Sequence, residues 1–108
     1  MQTEVSFRDI ERSTAVEQRV QERSERLGRL SDRITTCHVV IAAPHRHHHK
    51  GKLYDVRIQL HLPGHEIVVS REGSENHAYE DVYVVVRDAF DAAERQVEDW
   101  QRKQRERA

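Results

Sequence analysis

At 108 residues the chain is long enough for one core and too short for two, so one domain over residues 1–108 is expected. Charged residues make up 34% of it, yet 18 Lys and Arg stand against 19 Asp and Glu, and a formal net charge of −1 excludes a partner recognised by bulk charge alone. The single cysteine, Cys37, excludes an intramolecular disulfide, no apolar run approaches the ~18 residues that cross a bilayer, and "MQTEVSFRDI" lacks the basic-then-apolar order of an export signal; a soluble, cytoplasmic protein with no membrane partner is expected.

Residues 2–8, "QTEVSFR", place Val5 and Phe7 on one side, the period of a short half-buried strand. A first helix follows over about 14–31. Thr14 is the expected N-cap, with Glu17 three residues on in a capping-box pattern, and Val16, Val20, Leu27 and Leu30 recur near helical spacing. Arg19, Arg23, Arg26 and Arg29 are interleaved with Glu17, Glu22 and Glu25 along it, which by itself describes a solvated face laced with ion pairs.

A strand is expected over 33–43, where Cys37, Val39 and Ile41 alternate with Thr36, His38 and Val40. The next runs over 52–62, with Tyr54, Val56, Ile58, Leu60 and Leu62 on one side and Asp55, Arg57, Gln59 and His61 on the other. Pro63-Gly64 signals a turn into a fourth strand, "HEIVVSRE", so the last two strands form a hairpin. After a polar loop, "GSENHAYE", Asp81 can cap a long helix over about 82–104. Its Val82, Val85, Val86, Ala89, Phe90, Ala93, Val97 and Trp100 keep the 3.6-residue period, which puts Trp100 in the core. The order β-α-β-β-β-α, with single-sided stripes, predicts an α+β fold: two helices on one face of a four-stranded mixed sheet.

No glycine-rich phosphate loop, nucleophile elbow or HExxH pair is present, and Cys37 and His38 point to opposite faces of a strand, so neither an enzyme, nor a cofactor, nor a small-molecule substrate is expected. The stretch "PHRHHHKGK", Pro44 to Lys52, admits three readings. His45, His47 and His49 fall on one side of an extended chain and could share a metal, although Arg46, Lys50 and Lys52 add positive charge and no Cys or carboxylate lies nearby. The same cations suit phosphates, and a solvated strand connection needs no ligand at all. Tyr83, on the first turn of the long helix, packs on the sheet or stacks on a base.

Several strings, in order, resemble the ribosome hibernation promoting factor and ribosome-associated inhibitor A family, also called sigma-54 modulation proteins. They are Ala15, Val20, Arg23, Arg26 and Leu27, then "VVI" at 39–41, "GHEIVVSREG" at 64–73, "DVY" at 81–83 and "ERQV" at 94–97. The resemblance spans nearly the whole chain. It implies a fold like that of double-stranded-RNA-binding domains, and binding to the small ribosomal subunit and its rRNA where messenger and transfer RNA would sit. It also implies translational silencing in stress or stationary phase. By position it assigns RNA contacts to Arg23, Arg26 and Arg29 of the first helix and Arg95, Arg102 and Lys103 of the second. Tyr83 matches a tyrosine that follows the second helix's cap, and Arg46, Lys50 and Lys52 are expected to add phosphate contacts from the loop. No metal is assigned. A subgroup of similar sequences carries a cold-shock RNA-binding domain after the last helix, and Ala108 stands where such a linker would begin.

The chain also departs from the resemblance. Relatives tend to carry lysines where this chain has Ala92 and Asp99, and from Asp81 to Asp99 there are six acidic residues and two basic ones. An acidic face repels phosphate. It therefore motivates a second reading, a protein-interaction module that meets a basic partner or a second copy of itself through this helix. A third reading is the histidine-loop metal binder.

Overall fold

The computed structural model describes residues 1–44 and 52–107. Six main elements follow in the expected order: β1 (Gln2–Arg8), α1 (Thr14–Leu30), β2 (Thr36–Ala42), β3 (Asp55–Leu62), β4 (His65–Arg71) and α2 (Val82–Arg107). The sheet order is β1-β2-β3-β4, with β1 parallel to β2 and the other two pairings antiparallel, so the sheet is mixed.

Register follows from the apolar alternation. Cys37 faces Leu60, Val39 faces Ile58 and Ile41 faces Val56, while Leu60 and Ile58 meet Ile67 and Val69 of β4. A slip of one residue would turn this whole set to solvent. The β3–β4 hairpin closes through Pro63 and Gly64, with Gly64 at φ +65°, the left-handed position that the second central residue of a type II turn requires. The opposite sheet face carries His38, Arg57, Gln59, His61, Glu66 and Val68, the last 41% exposed.

α2 lies across β3 and β4 and against α1, and α1 covers β1. Val20, Leu27, Ile41, Ile58, Leu60 and Phe90 are fully buried between these layers. The two helices run in the same direction, because Arg19 meets Tyr83, Arg23 meets Asp91, and Gln101 meets Leu30.

Three local expectations are corrected. The N-cap of α1 is Ser13, whose Oγ accepts from the Val16 N–H at 3.2 Å, and Thr14 is the first helical residue. Glu17 then lies one residue too far for a capping box and pairs with Arg12 instead. β3 starts at Asp55, because the Tyr54 N–H leaves the ladder to donate to the Tyr79 carbonyl at 2.9 Å. The polar loop "GSENHAYE" contains two 3-10 turns, Gly73–Glu75 and His77–Glu80, tied down by the buried Tyr79 and by the Gly73 N–H donating to Asp55. There the chain passes so close to Leu53 that a Cβ on Gly73 would lie 2.6 Å from the Leu53 Cβ. Finally, Ala92 is buried at 4% exposure, so that position faces the core and not a partner.

Candidate nucleic-acid interface

Arg19, Arg23 and Arg26 of α1 meet α2 across a seam that has three zones. At its amino-terminal end the Arg19 guanidinium lies 5.0 Å from the centre of the Tyr83 ring. Tyr83 is half-buried, fixed in place by its N–H donating to the Asp81 carboxylate at 2.9 Å, the cap of α2. Arg87, one turn after Tyr83, shares this end and pairs with Asp88 at 3.0 Å. Arg19 and Arg87 stand outside the residues that the resemblance assigned; the i, i+4 spacing of Tyr83 and Arg87 is the sequence signal that brings the latter here.

In the middle zone Arg23 is only 13% exposed. Its Nη2 donates to Asp91 at 2.7 Å and to Glu94 at 2.9 Å, and its guanidinium lies 5.6 Å from the centre of the Phe90 ring. Burial acts to lower its pKa, but the two carboxylates outweigh that and raise it. Arg26, 61% exposed, reaches the same Glu94 at 3.2 Å. The acidic stretch of α2 is therefore not a free anionic face: Asp91 and Glu94 neutralise Arg23 and Arg26 inside the molecule. Asp88 likewise accepts from the Tyr79 hydroxyl at 3.0 Å, and Asp99 pairs with Arg102 at 3.0 Å.

At the carboxyl-terminal end the Gln101 side chain donates to the Leu30 carbonyl at 3.1 Å, supplying a partner to the last turn of α1. Arg33 covers the Trp100 ring at 5.2 Å while His65 stacks on it at 6.1 Å. Trp100 is 8% exposed, in the core as its period predicts. Arg29, Arg95 and Lys103 are exposed, and Arg95, Arg102 and Arg105 border a shallow groove of about 450 Å³ shared with Glu98 and Asp99.

Among the assigned residues, Arg23, Arg26 and Tyr83 thus lie on the seam, while Arg95 and Arg102 border the groove along α2. Lys52 does neither; it is half-buried at a cleft with Asp9, Ile10 and Glu11, in the connection from β1 to α1. Arg46 and Lys50 lie outside the described residues, as do His45, His47 and His49. Among the described residues no three metal-ligating side chains cluster. Cys37 is fully buried, and burial pushes its thiol up to about 11, the opposite of what an activated nucleophile needs. No helix among the described residues is long and apolar enough to cross a membrane.

Comparison with known proteins adds the following. The family described as Sigma 54 modulation protein / S30EA ribosomal protein matches residues 3–105. The crystal structure of the Thermus thermophilus Protein Y N-terminal domain superimposes with a TM-score of 0.71 at 24% identity, covering 93% of this chain and 99% of that one. A ribosomal subunit interface protein from Coxiella burnetii gives 0.70 at 20% identity, covering 94% and 98%. At these identities the structures establish a shared fold. No curated protein matches the chain.

Proposed function

Because this chain belongs to the Sigma 54 modulation protein / S30EA ribosomal protein family, whose members are non-enzymatic ribosome-associated factors linked to hibernation and translation regulation, we propose that it binds rRNA of the small ribosomal subunit through the α1–α2 seam and holds the ribosome idle. Occupancy of the messenger and transfer RNA channel, in the cytoplasm, belongs to the same proposal. Arg26, Arg29, Arg95, Arg102 and Lys103 supply phosphate contacts and Tyr83 supplies an aromatic face, with Arg46, Lys50 and Lys52 proposed as auxiliary phosphate contacts. Arg23 acts from behind as the strut that holds the two helices at their spacing.

The observation that carries this reading is the pairing of Asp91 and Glu94 with Arg23 and Arg26, which offsets part of the repulsion that α2 would offer to phosphate. The same observation weakens the alternative of a protein module docking through an acidic helix. The histidine-loop alternative is tested by calorimetry with zinc on tag-free protein: weak affinity, unchanged in the His45→Ala/His47→Ala/His49→Ala variant, sinks it.

The test of the main reading is co-sedimentation of tag-free protein with purified small subunits at low and moderate salt. Arg29, Arg95 and Arg102 are the residues to reverse to Glu, since all three are exposed and leave the Arg23 strut intact. Salt-sensitive binding that the triple variant loses is the expected result. Binding that survives the reversal removes Arg29, Arg95 and Arg102 as the RNA contacts.

A further inference from the structure

We propose that the notch at the amino-terminal end of the seam is a subsite for a single unpaired RNA nucleotide, whose base stacks on Tyr83 and whose phosphate is held by Arg19 and Arg87. It rests on the RNA-binding reading above and specifies what that end of the seam takes.

The notch encloses about 230 Å³ and is lined by Arg19, Arg23, Tyr83, Val84, Val86 and Arg87. This is below the ~300 Å³ at which pockets begin to hold drug-sized ligands, so it suits one base with its phosphate and not a longer segment. Its floor is aromatic and aliphatic, and its charged lining is wholly guanidinium. An apolar floor under a cationic rim matches a nucleotide, which joins a flat apolar base to an anion.

The ring face of Tyr83 already receives a flat π group, the Arg19 guanidinium at 5.0 Å. That cover is loosely held. Arg19 is 50% exposed, and its nearest carboxylate, Glu22, stands 3.7 Å away, beyond a hydrogen bond. Arg19 can therefore lift to a phosphate and yield the ring to a base, or stack on the outer face of that base. Arg87 is 60% exposed, and its carboxylate partner Asp88 is also held by the Tyr79 hydroxyl, so Asp88 keeps a donor when Arg87 swings away. Arg23, locked by Asp91 and Glu94, stays behind the notch as a fixed wall. Because the ring reaches only a base that is out of its stack, the notch selects single strands over duplex and is indifferent to sequence.

The test is an NMR titration of the whole chain with a short mixed-sequence single-stranded RNA, and with the same strand annealed to its complement. Saturable shifts of the Tyr83, Val84 and Arg87 amides are expected with the single strand, which binds at least about 5-fold tighter than the duplex. Tyr83→Leu is expected to lower single-strand affinity about 5- to 150-fold. Arg87→Gln, at an exposed position that folding does not need, lowers it as well and flattens its salt dependence. Equal affinity for duplex, or affinity unmoved by Arg87→Gln, overturns the proposal. Pelleting with small subunits separates it from the broader reading. Protein that pellets but shows no notch shifts overturns the subsite alone, whereas notch shifts without pelleting support the subsite and overturn the ribosomal role.

Discussion

Arg23 shows how one side chain can change its meaning between sequence and structure. The family resemblance marks it, with Arg26 and Arg29, as a phosphate contact, yet its charge is spent on two carboxylates of the neighbouring helix. Replacing it by Met leaves Glu94, itself 13% exposed, short of its main partner. Arg23→Met should therefore cost about 2 kcal/mol, below the range for a fully buried pair because Asp91 still sees water. Urea unfolding measures it, and adding Glu94→Gln should return part of the loss. Tyr79 makes a second prediction. Burial first, and the hydrogen bond to Asp88 second, raise its pKa above the ordinary 10.0. A raised folded value means that the stabilisation is fully present below pH 10.0 and is lost as pH rises through that higher value. Tyr79→Phe should flatten this alkaline decline and cost about 1 kcal/mol at neutral pH, read from unfolding midpoints across the alkaline range.

The elements differ in how much of them local sequence could carry. β2, β3 and β4 were legible because Cys37, Val39, Ile41, Val56, Ile58, Leu60, Ile67 and Val69 alternate without interruption, and α2 because its stripe holds from Val82 to Trp100. The cap of α1 lies one residue before the expected Thr14 because Ser13 and Thr14 are both good caps, and only the reach of the Ser13 Oγ to Val16 decides between them. Residues 73–80 show no periodicity; their order comes from Asp55 and Tyr54, residues distant in sequence. The candidate interface divides in the same way. Its cations could be picked out by their match to the family's positions, but not the pairing of Arg23 with Asp91, 68 positions away. For α2 the apolar stripe ends at Trp100, and beyond it only Gln101 and Gln104 are partly covered. Amides from Arg105 to Arg107 should exchange with solvent orders of magnitude faster than those of Val85 to Val97, as hydrogen exchange followed by mass spectrometry would show.

The whole molecule is nearly electroneutral, so its net charge does not draw it to a ribosome, and the proposed binding must come from local cations. Each phosphate contact should then appear separately in the salt dependence. Removing Arg95 or Arg102 should lower the slope of log affinity against log salt by roughly 0.7–0.9 each, measured by filter binding to purified small subunits. Cys37 gives the molecule a different use. The chain's one thiol sits at 0% exposure in the second strand of the sheet, with its ionisation pushed up to about 11. A thiol reagent can reach it only when helices and sheet come apart, and in that open chain it regains an ordinary reactivity. The native protein thus carries its own clock. The speed at which Cys37 is labelled reports how often the fold opens, and a ligand that clamps α1 to α2 should slow that labelling without touching the sulfur.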